Sequence, residues 1–322
     1  MMRRRRDDRD YGGNPADARM CTDDGFLMPI DGPVPASILT IVAAATLFVV
    51  MFDAGLSIVP GEFRWVLRRP ALLIKALFSV LIAVPVIALV VTRALDLPRL
   101  AEVGIVLMAI SPGAPVALRR SLGAGGHRSF APALQIAVAL LAVVSMPLSI
   151  AALDEYYGTR AVVDPRQLAR QVFFAQLLPL SLGMVMTRLF ATTAAQLAPR
   201  LHRIAGMTLI AFLAIVLIDI WPVVVGAGWR AATTIAIVTA LALAVGHLLG
   251  GPEPATRTAT AITSAARNPG LALLVVALNA SNPAIAATVL AYLIVSALTV
   301  IPYAIWRTRA ARMTSTSRSA RI

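Results

Sequence analysis

Residues 257–278 read RTATAITSAARNPGLALLVVAL. The stretch is apolar enough to cross a bilayer, but Asn268-Pro269-Gly270 interrupts it halfway and Arg267 sits at the interruption. Proline removes a backbone N–H and clashes with the preceding turn, so the helix breaks there. Residues 101–126 read AEVGIVLMAISPGAPVALRRSLGAGG, with Pro112-Gly113 and Pro115 at a similar depth, and the two breaks lie 269 − 112 = 157 residues apart. Backbone groups freed at a break cannot stay unpaired in lipid, so they must face a cavity, a substrate or an ion. Interrupted helices at matching places in two halves of a chain mark a transporter's binding site. The pattern predicts a crossover near the membrane centre.

The composition agrees. Of 322 residues, 58% are hydrophobic and 14% charged, with a mean hydropathy of +0.80, whereas a soluble domain carries roughly a quarter charged residues. The net charge is 29 − 16 = +13. In so apolar a chain this points to arginines at membrane borders and away from nucleic acid. One cysteine, Cys21, excludes an internal disulfide framework, and His127, His202 and His247 form no metal-ligand spacing. No metal site or cofactor is expected. Nothing resembles a nucleophile–base pair or a quinone or haem site, so an enzyme is not expected.

About nine stretches of the length that a spanning helix needs are predicted, near 35–59, 70–93, 99–122, 129–151, 167–189, 203–225, 230–250, 256–279 and 283–306. The fold class is therefore an all-α polytopic membrane protein. If spans one to four form one half, the other is six to nine, or five to nine with one additional helix. An odd number of spans per repeat inverts its orientation, which suits alternating access. Residues 1–34, with six arginines and seven aspartates, read as a disordered polar tail without a signal peptide. Residues 35–306 read as the transmembrane domain, and 307–322 as a basic cytoplasmic tail. Fifteen arginines fall on one side of the spans and six on the other. The positive-inside rule then puts the N-terminus outside and the C-terminus in the cytoplasm of a cell-membrane protein.

The segments MFDAGLSIVPGEFRWVLRRPALL, VLIAVP, LMAISPGAP and SAARNPGLALLVVAL resemble, in order and spacing, the bile acid:sodium symporter family, over about residues 45–305. The resemblance implies two inverted repeats, here in a nine-helix form, with two broken crossing helices. It implies a core domain moving against a smaller panel domain, and transport of organic anions, commonly with sodium. The ligands that the family uses for sodium are not retained. Ala117 and Leu118 stand where it has Ser-Asn, Gln135 and Ala139 where it has Ser and Thr, and Val80 where it has a ligating Gln. Thr263 and Arg267 stand where it has Glu and Gln. Arg267 puts a permanent cation where sodium would bind, and two cations repel at low dielectric. Arg267 is therefore expected to replace the ion and attract a carboxylate or sulfonate bidentately.

Pro112, Gly113, Gln135, Thr263, Ser264, Arg267, Asn268 and Gly270 form the expected substrate site. Asp53 and Lys75 lie about 9 and about 7.5 Å below the same surface at 1.5 Å per residue. They form a candidate proton or gating pair, alongside a structural ion pair or a snorkelling Lys75. Arg119 and Arg120 read as topology-setting charges. The expected partners are a small or amphipathic organic-anion substrate and the lipid bilayer, with sodium or a proton as candidate coupling ion; no oligomeric state follows. A transporter-derived membrane sensor without turnover is the second reading, favoured by the loss of the ion site.

Overall fold

A computed structural model describes residues 36–57, 65–66, 68–157, 165–219, 228–278 and 282–319. The tail at 1–34 lies outside the described residues. Among those described, every regular element is helical. The helices are α1 (Ala36–Leu56), α2 (Pro70–Ala94), α3 (Arg99–Ala109), α4 (Pro115–Gly123), α5 (Phe130–Tyr157) and α6 (Arg166–Leu189). They continue with α7 (Ala191–Asp219), α8 (Gly228–Leu249), α9 (Pro254–Ala265), α10 (Pro269–Leu278) and α11 (Pro283–Ser319).

Among the described residues seven spans are long and apolar enough to cross a membrane: α2, α5, α6, α7, α8, the α9–α10 pair, and α11 as far as Met313. The other two of the nine expected stretches are α1, whose described apolar part is the shorter Ile41–Leu56, and α3–α4, divided by its break. Both predicted breaks are present. The chain leaves helical geometry between Ala109 and Pro115 and again between Ala265 and Pro269. Prolines at the first helical positions of α2, α4 and α9 restart the helix where the missing N–H is harmless.

The closest packing picks out two sets of helices, which contacts of α1 with α10 and of α5 with α6 join into one unit. α1 packs most closely on α6 and α7, while α9 packs on α8, α4 and α5, and α11 on α3 and α8. Contact between α1 and α6 is main chain to main chain. A Cβ at Gly55 would lie 2.2 Å from the Leu180 carbonyl oxygen, and one at Gly183 would lie 2.3 Å from that of Phe52. Small residues permit this approach where hydrophobicity gives no drive between helices. The α9–α10 span is shielded from lipid. In its central stretch 78% of residues are buried, against 17–44% in the other six spans. A broken helix can lose its regular hydrogen bonds only where protein surrounds it.

The boundary expected at residue 306 does not coincide with a helix end, since α11 runs on to Ser319. Arg307, counted among the tail charges, is buried instead. Its Nε donates to Thr258 Oγ1 (2.8 Å) and Nη2 to the Pro254 carbonyl (2.9 Å). The Pro254 carbonyl, which also accepts from Thr258 Oγ1 (2.9 Å), takes the guanidinium on its remaining acceptor capacity, so α11 is tied to the start of α9.

His127 holds the α4–α5 loop against the start of α9. Its amide donates to the Ala255 carbonyl (3.1 Å). Its Nδ1 accepts from the amides of Ser129 (3.3 Å) and Phe130 (3.2 Å), capping α5. The ring lies on Trp65 with centroids 4.1 Å apart, and the Arg69 guanidinium covers the same indole at 4.3 Å. Burial pushes the imidazole pKa down; the Glu253 carboxylate opposes this and Arg69 adds to it. The capping lone pair exists only in the neutral ring. A pKa below the unfolded value means that the unfolded chain binds the proton more readily. This contribution to stability is therefore complete above the unfolded histidine pKa of about 6.5 and is lost as pH falls towards the lower folded value. Thermal unfolding in detergent should show an acid-side loss of stability over that range, and His127→Asn should flatten it. An unchanged profile in the variant would refute the assignment.

Candidate functional site

The two breaks meet. The Asn268 amide donates to the Ser111 carbonyl (2.9 Å), a main-chain bond that joins the interruption of one span to that of the other. Each break is then finished by a local device. Asn268 Oδ1 accepts from the Leu271 amide (3.1 Å) and caps α10. Gly113 adopts φ +85°, a region that favours glycine, and its carbonyl accepts from Gln135 Nε2 (3.0 Å). A Cβ at Gly113 would come within 2.5 Å of Gln176 Nε2, so α6 brings its amide directly against the first break.

Arg267 is the charge of the crossover, and it is only 4% exposed. Its Nη1 and Nη2 both donate to the Val80 carbonyl, each at 3.0 Å. That carbonyl is available for a local reason. Residues Ser79–Ala83 form a π turn in which the Val84 amide bonds to the Ser79 carbonyl. An α-helix would have given the Val84 amide to Val80, and the wider π turn would use residue 85, which is Pro85. A π turn and a proline five residues after Val80 thus turn one carbonyl out of α2, and the guanidinium takes it. The sequence reading put Val80 at a ligand position; the structure uses its main chain, not its side chain.

The remaining predicted residues separate into two sets. Pro112, Thr263, Ser264 and Gly270 are buried at the crossover, and Ser264 Oγ lies 2.9 Å from Ser79 Oγ, tying α9 to the π turn. Several buried polar atoms here have no protein partner: Gln176 Nε2 and Oε1, Gln135 Oε1, Asn268 Nδ2 and Arg267 Nε. Unpaired polar atoms at such burial are costly, and these surround the two breaks. Gln176 gave no sequence signal beyond being a glutamine in an apolar span.

The expected Asp53–Lys75 pair is not formed. Lys75 is exposed on α2, and buried Asp53 is bonded to Arg119 of α4 and, at 3.4 Å, to His202 Nδ1 of α7. Equal depth along two helices says nothing about their facing sides, and α1 turns Asp53 towards α4 and α7. Arg119, read as a topology charge, is therefore the half-exposed partner of a buried carboxylate.

Beside the crossover lies a cleft of about 670 Å³ of empty space, counted out to its open mouth. Leu47, Val50, Phe212 and Leu213 give it apolar walls, while Arg120, Arg267 and Asn268 supply polar groups; no acidic residue lines it among the described residues. Apolar walls with a few convergent polar groups are the usual form of a small-molecule site. Two of them, Arg120 and Arg267, are cationic.

Comparison with known proteins gives the family. The model of the Sodium Bile acid symporter family matches residues 44–225. The chain is also similar to an uncharacterized sodium-dependent transporter of Bacillus subtilis (strain 168), YocS, at 26% identity over 168 residues, 52% of this chain and 50% of the relative. The match thus spans about half the length of that curated relative.

The first break should tolerate no side chain. Gly113→Ala adds a Cβ in a left-handed conformation and against Gln176, and is expected to cost about 1–3 kcal/mol. Asn268→Ala, which removes only a cap, should cost about 1 kcal/mol. Thermal unfolding of the purified variants tests the order, and a Gly113→Ala protein as stable as the parent would contradict it.

Proposed function

The chain belongs to the Sodium Bile acid symporter family, and from that premise we propose that it is a secondary transporter of a small or amphipathic organic anion. It works by alternating access, with Arg267 in the place of a coupling sodium ion. The observation that carries this reading is the buried guanidinium at the crossing of the two breaks, beside an apolar cleft without acidic lining residues among those described. A sodium ion would need several oxygen ligands and a compensating carboxylate. The residues present do not fit it, because Thr263 and a cation stand where those ligands are expected. The name of the Bacillus relative specifies sodium dependence; this chain is read as departing from it at Arg267.

Arg267 spends two of its amino groups on Val80. An anion would meet a fixed positive charge at the cleft wall, the three N–H donors that remain on the guanidinium, and the freed main-chain and amide groups of the breaks. The arginine asymmetry of the sequence supports an outside N-terminus and a cytoplasmic C-terminus.

Uptake of labelled organic anions into proteoliposomes should be equal in sodium and choline media. Arg267→Gln should reduce it by about tenfold or more, as loss of a charge-assisted contact implies. Uptake that requires sodium, or binding of sodium by the purified protein, would overturn the proposal. Failure of counterflow for every anion tested would favour the sensor reading.

A further inference from the structure

We propose that Asp53, Arg119 and His202 form a proton-operated latch between the two helix groups, with His202 as the proton-binding site that releases it. The three side chains close a ring: Arg119 Nη2 is bonded to Asp53 Oδ2, Arg119 Nη1 lies 2.6 Å from His202 Nε2, and His202 Nδ1 lies 3.4 Å from Asp53 Oδ2. Arginine only donates hydrogen bonds, so Nε2 must accept and the imidazole proton must sit on Nδ1, facing the carboxylate. Only neutral histidine completes the ring. A proton added at Nε2 would point at a guanidinium 2.6 Å away.

The direction of the response follows from which helix carries each group. Asp53 on α1 and His202 on α7 belong to one helix group. Arg119 on α4 belongs to the other, because α4 packs mainly on α9 and α5. A protonated His202 satisfies Asp53 from within its own group and repels Arg119, the sole member from across the boundary. Protonation thus exchanges a bond between groups for one inside a group, and the groups are free to separate. The proton can reach the site, since the His202 side chain is 47% exposed while Asp53 is 5% exposed.

The other charges near His202 do not compete for these bonds. Arg200 and Arg203 flank it on α7, Arg188 ends α6, and Arg120 lines the cleft; none of the four joins the ring. Arg307 of α11 is engaged by Thr258 and Pro254. All are cations, so Asp53 is the one described group in the ring that favours the proton. The latch rests on the alternating-access reading for its purpose, but its opening can be tested without any substrate.

The experiment uses full-length protein in detergent, with Cys21→Ser and the cleft residue Ser296→Cys. Maleimide labelling is measured between about pH 8 and pH 5.5, across the ordinary histidine range, and normalised to unfolded protein at each pH. Labelling should rise about fivefold on acidification, the lower end of ordinary conformational coupling. His202→Gln should abolish the rise, and His202→Arg, a permanent cation, should give high labelling even at pH 8. Flat labelling in the parent, or an unaltered rise in His202→Gln, overturns the latch. If His202→Gln fails to fold, low labelling of His202→Arg at pH 8 does the same. Absent uptake with a normal labelling profile would count against the transport reading alone.

Discussion

Everything in this fold depends on a single constraint: main-chain polar groups inside an apolar slab must be paired. Seven of the nine apolar segments meet it chiefly by being continuous helices among the described residues. The two that are broken cannot, and the structure answers by crossing them, so that the Asn268 amide finds the Ser111 carbonyl. Around that bond side chains take two further free carbonyls, Gln135 that of Gly113 and Arg267 that of Val80 on α2. The α9–α10 arm of the crossover is therefore at once interrupted and the most heavily buried of the candidate spans among the described residues. That combination leaves polar groups concentrated in a small volume that lipid never reaches.

The same constraint explains how a cation survives there. An isolated guanidinium away from water is expensive, and Arg267 has no acidic partner in its described hydrogen bonds. It has a carbonyl that α2 has been bent to release. The charge is thus held by dipoles and not by a counter-ion, and it remains uncompensated. An anion entering the cleft would meet a field that nothing else in the wall cancels, whereas an Arg–carboxylate pair would have presented almost none.

Much of this was legible in the sequence, for physical reasons that differ from residue to residue. Apolar length fixes spans, and Pro-Gly within an apolar run fixes a break, so α3–α4 and α9–α10 were readable from Pro112 and Pro269 alone. The identity of Arg267 as the central charge was readable too, since no border effect accounts for an arginine at that depth. What hydropathy lacks is azimuth. Asp53 and Lys75 share a depth but not a direction, and the partners of Asp53 come from α4 and α7. Nor does a hydropathy profile register main-chain acceptors, so the role of Val80 was hidden behind an unremarkable valine. Its signal was Pro85, five residues on, readable only by someone asking which carbonyl that proline deprives.

That carbonyl has a consequence for how the protein tolerates mutation. A side-chain ligand at position 80 could be deleted by a single codon change; a main-chain oxygen cannot. Arg267 is anchored to something that every amino acid at position 80 provides. The vulnerable position lies elsewhere, at Pro85, where any other residue restores an N–H and offers the Val80 oxygen a partner within its own helix. Substitution at 80 therefore acts on the packing of a buried side chain and leaves the anchor of Arg267 in place, whereas substitution at 85 acts on the anchor itself.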